Sequence, residues 1–211
     1  MKKRVIIFGN GRLNKGLLKH ITSDDYIIGV DRAAYWLITR GIVPHMAIGD
    51  FDSATAIERQ VIKKSVKKFK TFPPDKNWTD MELAVNQAVR LSPDEVVIFG
   101  GSGTRLDHTM ATWHVLDSLL KKNITHSLTD ETNSIRLLGK GRTIFVPRGY
   151  RYISVLPFTR TVVLELQGFK YNVPKMKLVQ GSTRGISNEI AGREAAIRIY
   201  SGKAWVVESN D

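Results

Sequence analysis

The stretch AIGDFDSA (47–54) places two carboxylates, Asp50 and Asp52, two residues apart at the end of a short apolar run. Side chains at i and i+2 of a strand share a face, so a strand that persists this far aims both into one small volume. Like charges that close repel unless a metal, a lysine or water separates them. Three more polar groupings follow the same plan: Asp31 in GVDRAA, DKNWTDMELAV (75–85) and GGSGTRLDH (100–108). Singly, each has an ordinary explanation. Asp52 or Ser53 can cap a following helix, Thr79 and Glu82 fit a capping box with Asp80 favouring the helix dipole, GGSG can be a turn, and Asp107 can be a helix-start acid. Caps account for one acid per helix. They do not account for Asp50 with Asp52, or for Asp75, Lys76 and Asp80 in one short segment. Carboxylates gathered beside Gly-rich backbone and Lys/Arg suit a Mg²⁺–polyphosphate site. The cation prefers one or two carboxylates plus phosphate oxygens, glycines admit backbone N–H groups to phosphate, and Lys or Arg offsets charge that develops in transfer.

The elements that must position these residues are legible as a rhythm. Short β-rich runs occur at RVIIFG (4–9), YIIGVD (26–31), HMAIGD (45–50), KKFKTF (67–72) and EVVIFG (95–100). Between them lie helical spacings such as Leu83, Val85, Ala88, Val89 and Leu106, Met110, Trp113, Leu116, Leu120. This alternation predicts a mainly parallel sheet with helices on both faces. Most of these strands end in Gly or Asp, at the carboxyl edge where open α/β sheets hold their ligands. After about residue 125 short strands succeed one another from ITHSL to AWVVES without a helical segment, the pattern of an antiparallel sandwich or barrel. The expected domains are therefore α/β over 1–125 and all-β over 126–211.

Composition narrows the class. The chain has 211 residues, 42% hydrophobic and 25% charged, which is ordinary globular usage. No apolar run approaches the roughly 20 residues of a membrane span, and the basic start MKKRVIIFG is too short in its apolar part for a signal peptide. The absence of cysteine excludes disulfides and thiolate chemistry and fits a cytoplasmic protein. A net charge of +12 points to an anionic partner, either nucleic acid or phosphate-bearing small molecules. Residues 1–125 carry 19 Lys/Arg against 13 Asp/Glu and the remainder 13 against 7, so each part is +6 and no basic arm stands out. The dense cluster QVIKKSVKKFK (60–70) reads as a solvated helix face running into an edge strand. No stacking motif of an RNA-binding sheet appears, which disfavours a nucleic-acid partner or a metal-dependent nuclease. A non-catalytic ligand-binding module is disfavoured by the intact carboxylates. GNGRLNKG lacks the third Rossmann glycine and GGSGTRLDH lacks the P-loop Gly-Lys-Ser/Thr.

GDFDS, DKNWTD and GGSGTRLDH, in this order and spacing, resemble the thiamine pyrophosphokinase family, and GISNE (185–189) resembles that family's Ser-Asn motif. The resemblance spans essentially the whole chain. It implies transfer of pyrophosphate from ATP to thiamine with Mg²⁺, in a homodimer with active sites shared between subunits, the second domain binding thiamine and dimerising. By motif match Asp50, Asp52 and Asp80 correspond to the magnesium-binding acids and Asp31 to a further member of the acidic cluster. Lys76, Thr79, Gly101, Arg105, Asp107 and His108 correspond to nucleotide and polyphosphate positions, with Arg105 also catalytic. Ser187 and Asn188 correspond to the thiamine side. Two departures bear on ATP geometry: Arg32 and Ala33 follow Asp31 where small residues are usual, and Thr112 stands where Asn is expected. Trp205, in the last strand, is either a ring that stacks on thiamine or a core aromatic.

Overall fold

The computed structural model describes residues 3–73, 75 and 77–211. They form two compact units, Met1–Glu131 and Thr132–Asp211. The first contains β1 (Arg4–Phe8), β2 (Tyr26–Val30), α1 (Arg32–Ile38), β3 (Met46–Gly49), α2 (Ala56–Ser65), β4 (Lys68–Thr71), α3 (Asp80–Arg90), β5 (Glu95–Phe99), α4 (Leu106–Lys121) and β6 (Thr125–Thr129). A 3-10 segment, Lys15–His20, lies between β1 and β2. The six strands pair in parallel in the order β4-β3-β2-β1-β5-β6. Val5 to Phe8 of β1 and Val96 to Phe99 of β5 are buried without alternation, because helices cover both faces of a parallel sheet. Apolar residues of α1 and of the strands interlock around Phe8, Leu37 and Phe99 on one side. Ala34, Ala47, Phe51 and Ile62 form a second cluster. The chain reverses its direction of travel across the sheet between β1 and β5, the point at which such sheets open a ligand crevice at their carboxyl edge.

The antiparallel half begins later than its sequence suggests. ITHSL runs parallel to β5, with Ile98 opposite Leu128, and Leu128 is fully buried. Helix α4 is the crossover that delivers this strand, so β6 completes the first unit. The lysine cluster divides as expected, Lys63 and Lys64 in the last turn of α2 and Lys68 and Lys70 on the edge strand β4. Lysines there discourage pairing with another chain.

The second unit contains β7 (Asn133–Leu138), β8 (Gly141–Phe145), β9 (Tyr152–Pro157), β10 (Thr161–Gln167), β11 (Val173–Val179), β12 (Ala195–Ser201) and β13 (Ala204–Ser209). Its strands pair antiparallel as β7-β13-β9 and as β11-β10-β12-β8. In β10 Val162, Leu164 and Leu166 alternate inward and join Phe145, Val155, Phe169, Ile197 and Val206 in one core, as in a sandwich. At that core's margin Arg136 pairs with Glu208 at 2.6 Å and lies over the Phe145 ring. No helix among the described residues is long and apolar enough to cross a membrane.

Candidate active site

The ends of β2 and β3 are joined through Asp31. Its backbone turns to φ +47°, its N–H donates to the Ile48 carbonyl at 2.9 Å, and its Oδ1 accepts from the Phe51 N–H at 3.0 Å. This geometry explains the glycine of GDFDS. A Cβ on Gly49 would lie 1.7 Å from Asp31 Oδ1, and Gly49 has φ +151°. Only glycine lets the Asp31 carboxylate cross the end of β3.

β3 stops at Gly49, so the strand does not persist to Asp52. Phe51 takes φ +58° and is fully buried, stacked on Phe69 with centroids 4.6 Å apart. The sunken ring turns the chain at this point. Asp52 is exposed, and its N–H donates to Asp50 Oδ1 at 3.1 Å. Neither Asp52 nor Ser53 caps α2. Thr55 does, in a full capping box with Glu58. Asp80 opens α3, whose N-cap Thr79 accepts from the Glu82 N–H at 3.2 Å.

Asp31, Asp50 and Asp80 each offer a carboxylate oxygen, and these atoms all lie within 4.8 Å of one another. Asp52 is outside this group, although its charge reaches Asp31. Burial pushes the Asp31 carboxyl up to about 7; repulsion from Asp80, Asp50 and Asp52 adds to the rise, and the Phe51 N–H opposes it. Three converging hard oxygen donors are the donor set of a divalent cation such as Mg²⁺, so Asp31, Asp50 and Asp80 fit that group.

The remaining residues fall into two sets. In the first unit, the loops after β1 and β5 are zipped together by Gly11 N–H to Gly100 O (2.8 Å) and Arg12 N–H to Ser102 O (2.7 Å). Gly101 is held against Leu128 and Thr112, which a Cβ would meet at 2.7 and 3.0 Å. Thr112 is buried and bonds back to the His108 carbonyl, so it supports this loop from below. Thr109 closes the loop by accepting from Gly103 N–H and donating to Arg105 O. Arg105 and Asp107 are exposed and grip each other at 2.6 and 3.3 Å, and His108 is exposed beside them. Lys76 lies outside the described residues.

In the second unit Ser187 is exposed at φ +59°, its N–H donating to Ser154 Oγ. Asn188 is buried. Its Oδ1 accepts from the N–H groups of Tyr171 and Glu189, and its Nδ2 donates to the Tyr171 carbonyl. Asn188 is thus a clamp, and the side chain it presents is Tyr171, 63% exposed. Sequence reading passed over Tyr171; the signal was an aromatic beside Lys170 in the turn between two strands. Trp205 is a core residue, 8% exposed and edge-on to Phe158 at 5.0 Å.

Residues 17–128, more than half of the chain, match the family model "Thiamin pyrophosphokinase, catalytic domain". The chain belongs to the thiamin pyrophosphokinase family. Residues 142–204 match that family's model "vitamin B1 binding domain". A thiamine pyrophosphokinase of Bacillus subtilis is 36% identical over 186 residues, covering 87% of each chain. The crystal structure of thiamine pyrophosphokinase from Bacillus subtilis superposes with a TM-score of 0.93 at 33% identity, over 99% of this chain and 100% of that one. The yeast thiamin pyrophosphokinase, 17% identical, shares the fold with a TM-score of 0.79, over 99% of this chain and 87% of its own. Both units of the chain, and not the α/β half alone, therefore have the family's architecture.

Proposed function

We propose that this chain is a thiamine pyrophosphokinase, transferring pyrophosphate from ATP to the hydroxyethyl oxygen of thiamine to give AMP and thiamine diphosphate. The observation that carries the reading is the convergence of Asp31, Asp50 and Asp80 at the carboxyl edge of the parallel sheet, in a chain of this family. Mg²⁺ held by these three carboxylates would offset the polyphosphate charge and the charge that develops in transfer. The thiamine oxygen bonds to the β-phosphorus, the bond from that phosphorus to the bridging oxygen of the α-phosphate breaks, and AMP leaves. The hydroxyl proton passes to a carboxylate of the same cluster, with Asp31 and Asp80 the candidates. Arg105, exposed just ahead of α4, supplies positive charge to the polyphosphate, and Asp107 holds its guanidinium in place.

Thiamine is a cation, and the acidic cluster favours its approach. Ser187 and Tyr171 are the side chains of the second unit we assign to thiamine; Asn188 grips the Tyr171 backbone, and Ser154 Oγ accepts from the Ser187 N–H. The working form is a cytoplasmic homodimer with active sites shared between subunits. The test is product analysis after incubation with ATP, Mg²⁺ and thiamine. AMP and thiamine diphosphate are expected in equal amounts, with no product when the metal is chelated. Thiamine-dependent ADP with thiamine monophosphate would mean that a single phosphoryl group is transferred.

A further inference from the structure

The turn that carries Asp50 is anchored by a residue outside the acidic cluster. Phe51 adopts φ +58°, which an aromatic residue seldom does, so its backbone needs a hold on both sides. Its N–H donates to Asp31 Oδ1 at 3.0 Å. Its carbonyl accepts from Arg59 Nη2 at 2.7 Å and from the Ala54 N–H at 3.2 Å. That carbonyl belongs to the same peptide as the Asp52 N–H, which donates to Asp50 Oδ1 at 3.1 Å. A peptide is planar and rigid, so turning its carbonyl turns its N–H. Arg59 therefore reaches the Asp50 carboxylate through a single planar unit.

Arg59 is itself fixed in place. Its N–H donates to the Thr55 carbonyl at 2.9 Å, near the start of α2. The residue before it, Glu58, is buried. Glu58 Oε2 accepts from the Thr55 N–H at 2.9 Å, and its Oε1 accepts from Arg32 Nε at 3.0 Å and Nη2 at 2.9 Å. Arg32 directly follows Asp31. Two consecutive residues of α2 thus grip the neighbours of two cluster carboxylates, Asp31 and Asp50. Groups that orient a metal's ligands without touching the metal change its affinity by about ten- to a hundredfold. We propose that Arg59 is a positioning residue of the reaction. Through the Phe51–Asp52 peptide it keeps the Asp50 carboxylate converged with Asp31 and Asp80 for the cation. The assignment rests on that cluster being the cation site.

Titration of the full chain with Mn²⁺, followed by electron paramagnetic resonance without nucleotide or thiamine, reads the site apart from turnover. Arg59 is exposed on α2, so Arg59→Met is expected to fold. Its affinity for Mn²⁺ should fall at least about tenfold, and the Mg²⁺ needed for half-maximal turnover should rise by a similar factor. Charge alone predicts the opposite sign, because removing a nearby positive charge tightens a cation. Arg59→Lys keeps a donor for the Phe51 carbonyl and should stay within about threefold of wild type. Mn²⁺ affinity in Arg59→Met that is tighter than wild type, or weaker by less than about threefold, would overturn the proposal. So would an Arg59→Lys variant as weak as Arg59→Met. Asp50→Asn separates this proposal from the reading beneath it. If that variant loses Mn²⁺ and Arg59→Met does not, the cation site stands and the positioning role fails. If the wild-type chain takes up no Mn²⁺, the cation site fails and the positioning role falls with it.

Discussion

Asp50 and Asp52 are two residues apart but stand in different surroundings. Asp50 belongs to the three carboxylates whose oxygens converge, whereas Asp52 is exposed and outside them. If charge at the convergence is what matters, Asp50→Asn should lower turnover by about a hundredfold, the scale of ~2.7 kcal/mol of transition-state stabilisation. Asp52→Asn should cost less than about tenfold, since its charge acts on the site only at a distance. Both variants should melt near wild type, because Asp52 caps no helix and Asp50→Asn removes one like-charge repulsion. Equal losses of turnover would return Asp52 to the cation. The sequence made the carboxylates visible and misjudged which of them converge. It could not do otherwise, because an aromatic residue carries no signal for a positive φ. Phe51 turns the chain to reach its burial site against Phe69.

At the scale of elements, the parallel pairing of the first strands and the antiparallel second half were legible from spacing alone, and β6 was not. A five-residue strand such as THSLT reads the same in either sheet; what decides it is the α4 crossover behind it. The coupling of β2 to β3 was equally hidden, since Asp31 and Gly49 are far apart in sequence and meet only in the folded sheet. Gly49→Ala tests that coupling. Its Cβ would occupy the place of Asp31 Oδ1, so the carboxylate must leave, and turnover should fall at least about a hundredfold with a loss of roughly 2–4 kcal/mol in stability. Adding Asp31→Ala removes the clash and should recover much of the melting temperature but none of the activity. A double variant that melts as low as Gly49→Ala would show that the strain lies in the backbone of β3 alone.

For the whole molecule, the charge pattern divides the two substrates. An excess of +12 draws in a polyphosphate and opposes a cation, so thiamine must be won by local features: the acidic cluster and an aromatic surface. Among the aromatics of the second unit, Trp205 is committed to the core, and Tyr171 is presented to solvent on a backbone that Asn188 grips at both N–H and carbonyl. Such a grip fixes the backbone that carries the exposed ring and so lowers the entropy cost of binding. Tyr171→Leu should therefore raise the KM for thiamine by about tenfold, the scale of one lost cation–π or stacking contact, while the KM for ATP and the melting temperature stay put. Tyr171→Phe keeps the ring face and should stay near wild type. Steady-state kinetics with each substrate varied in turn gives both constants. A rise in the KM for ATP equal to that for thiamine would mean that Tyr171 acts through the fold of its unit and does not touch the vitamin.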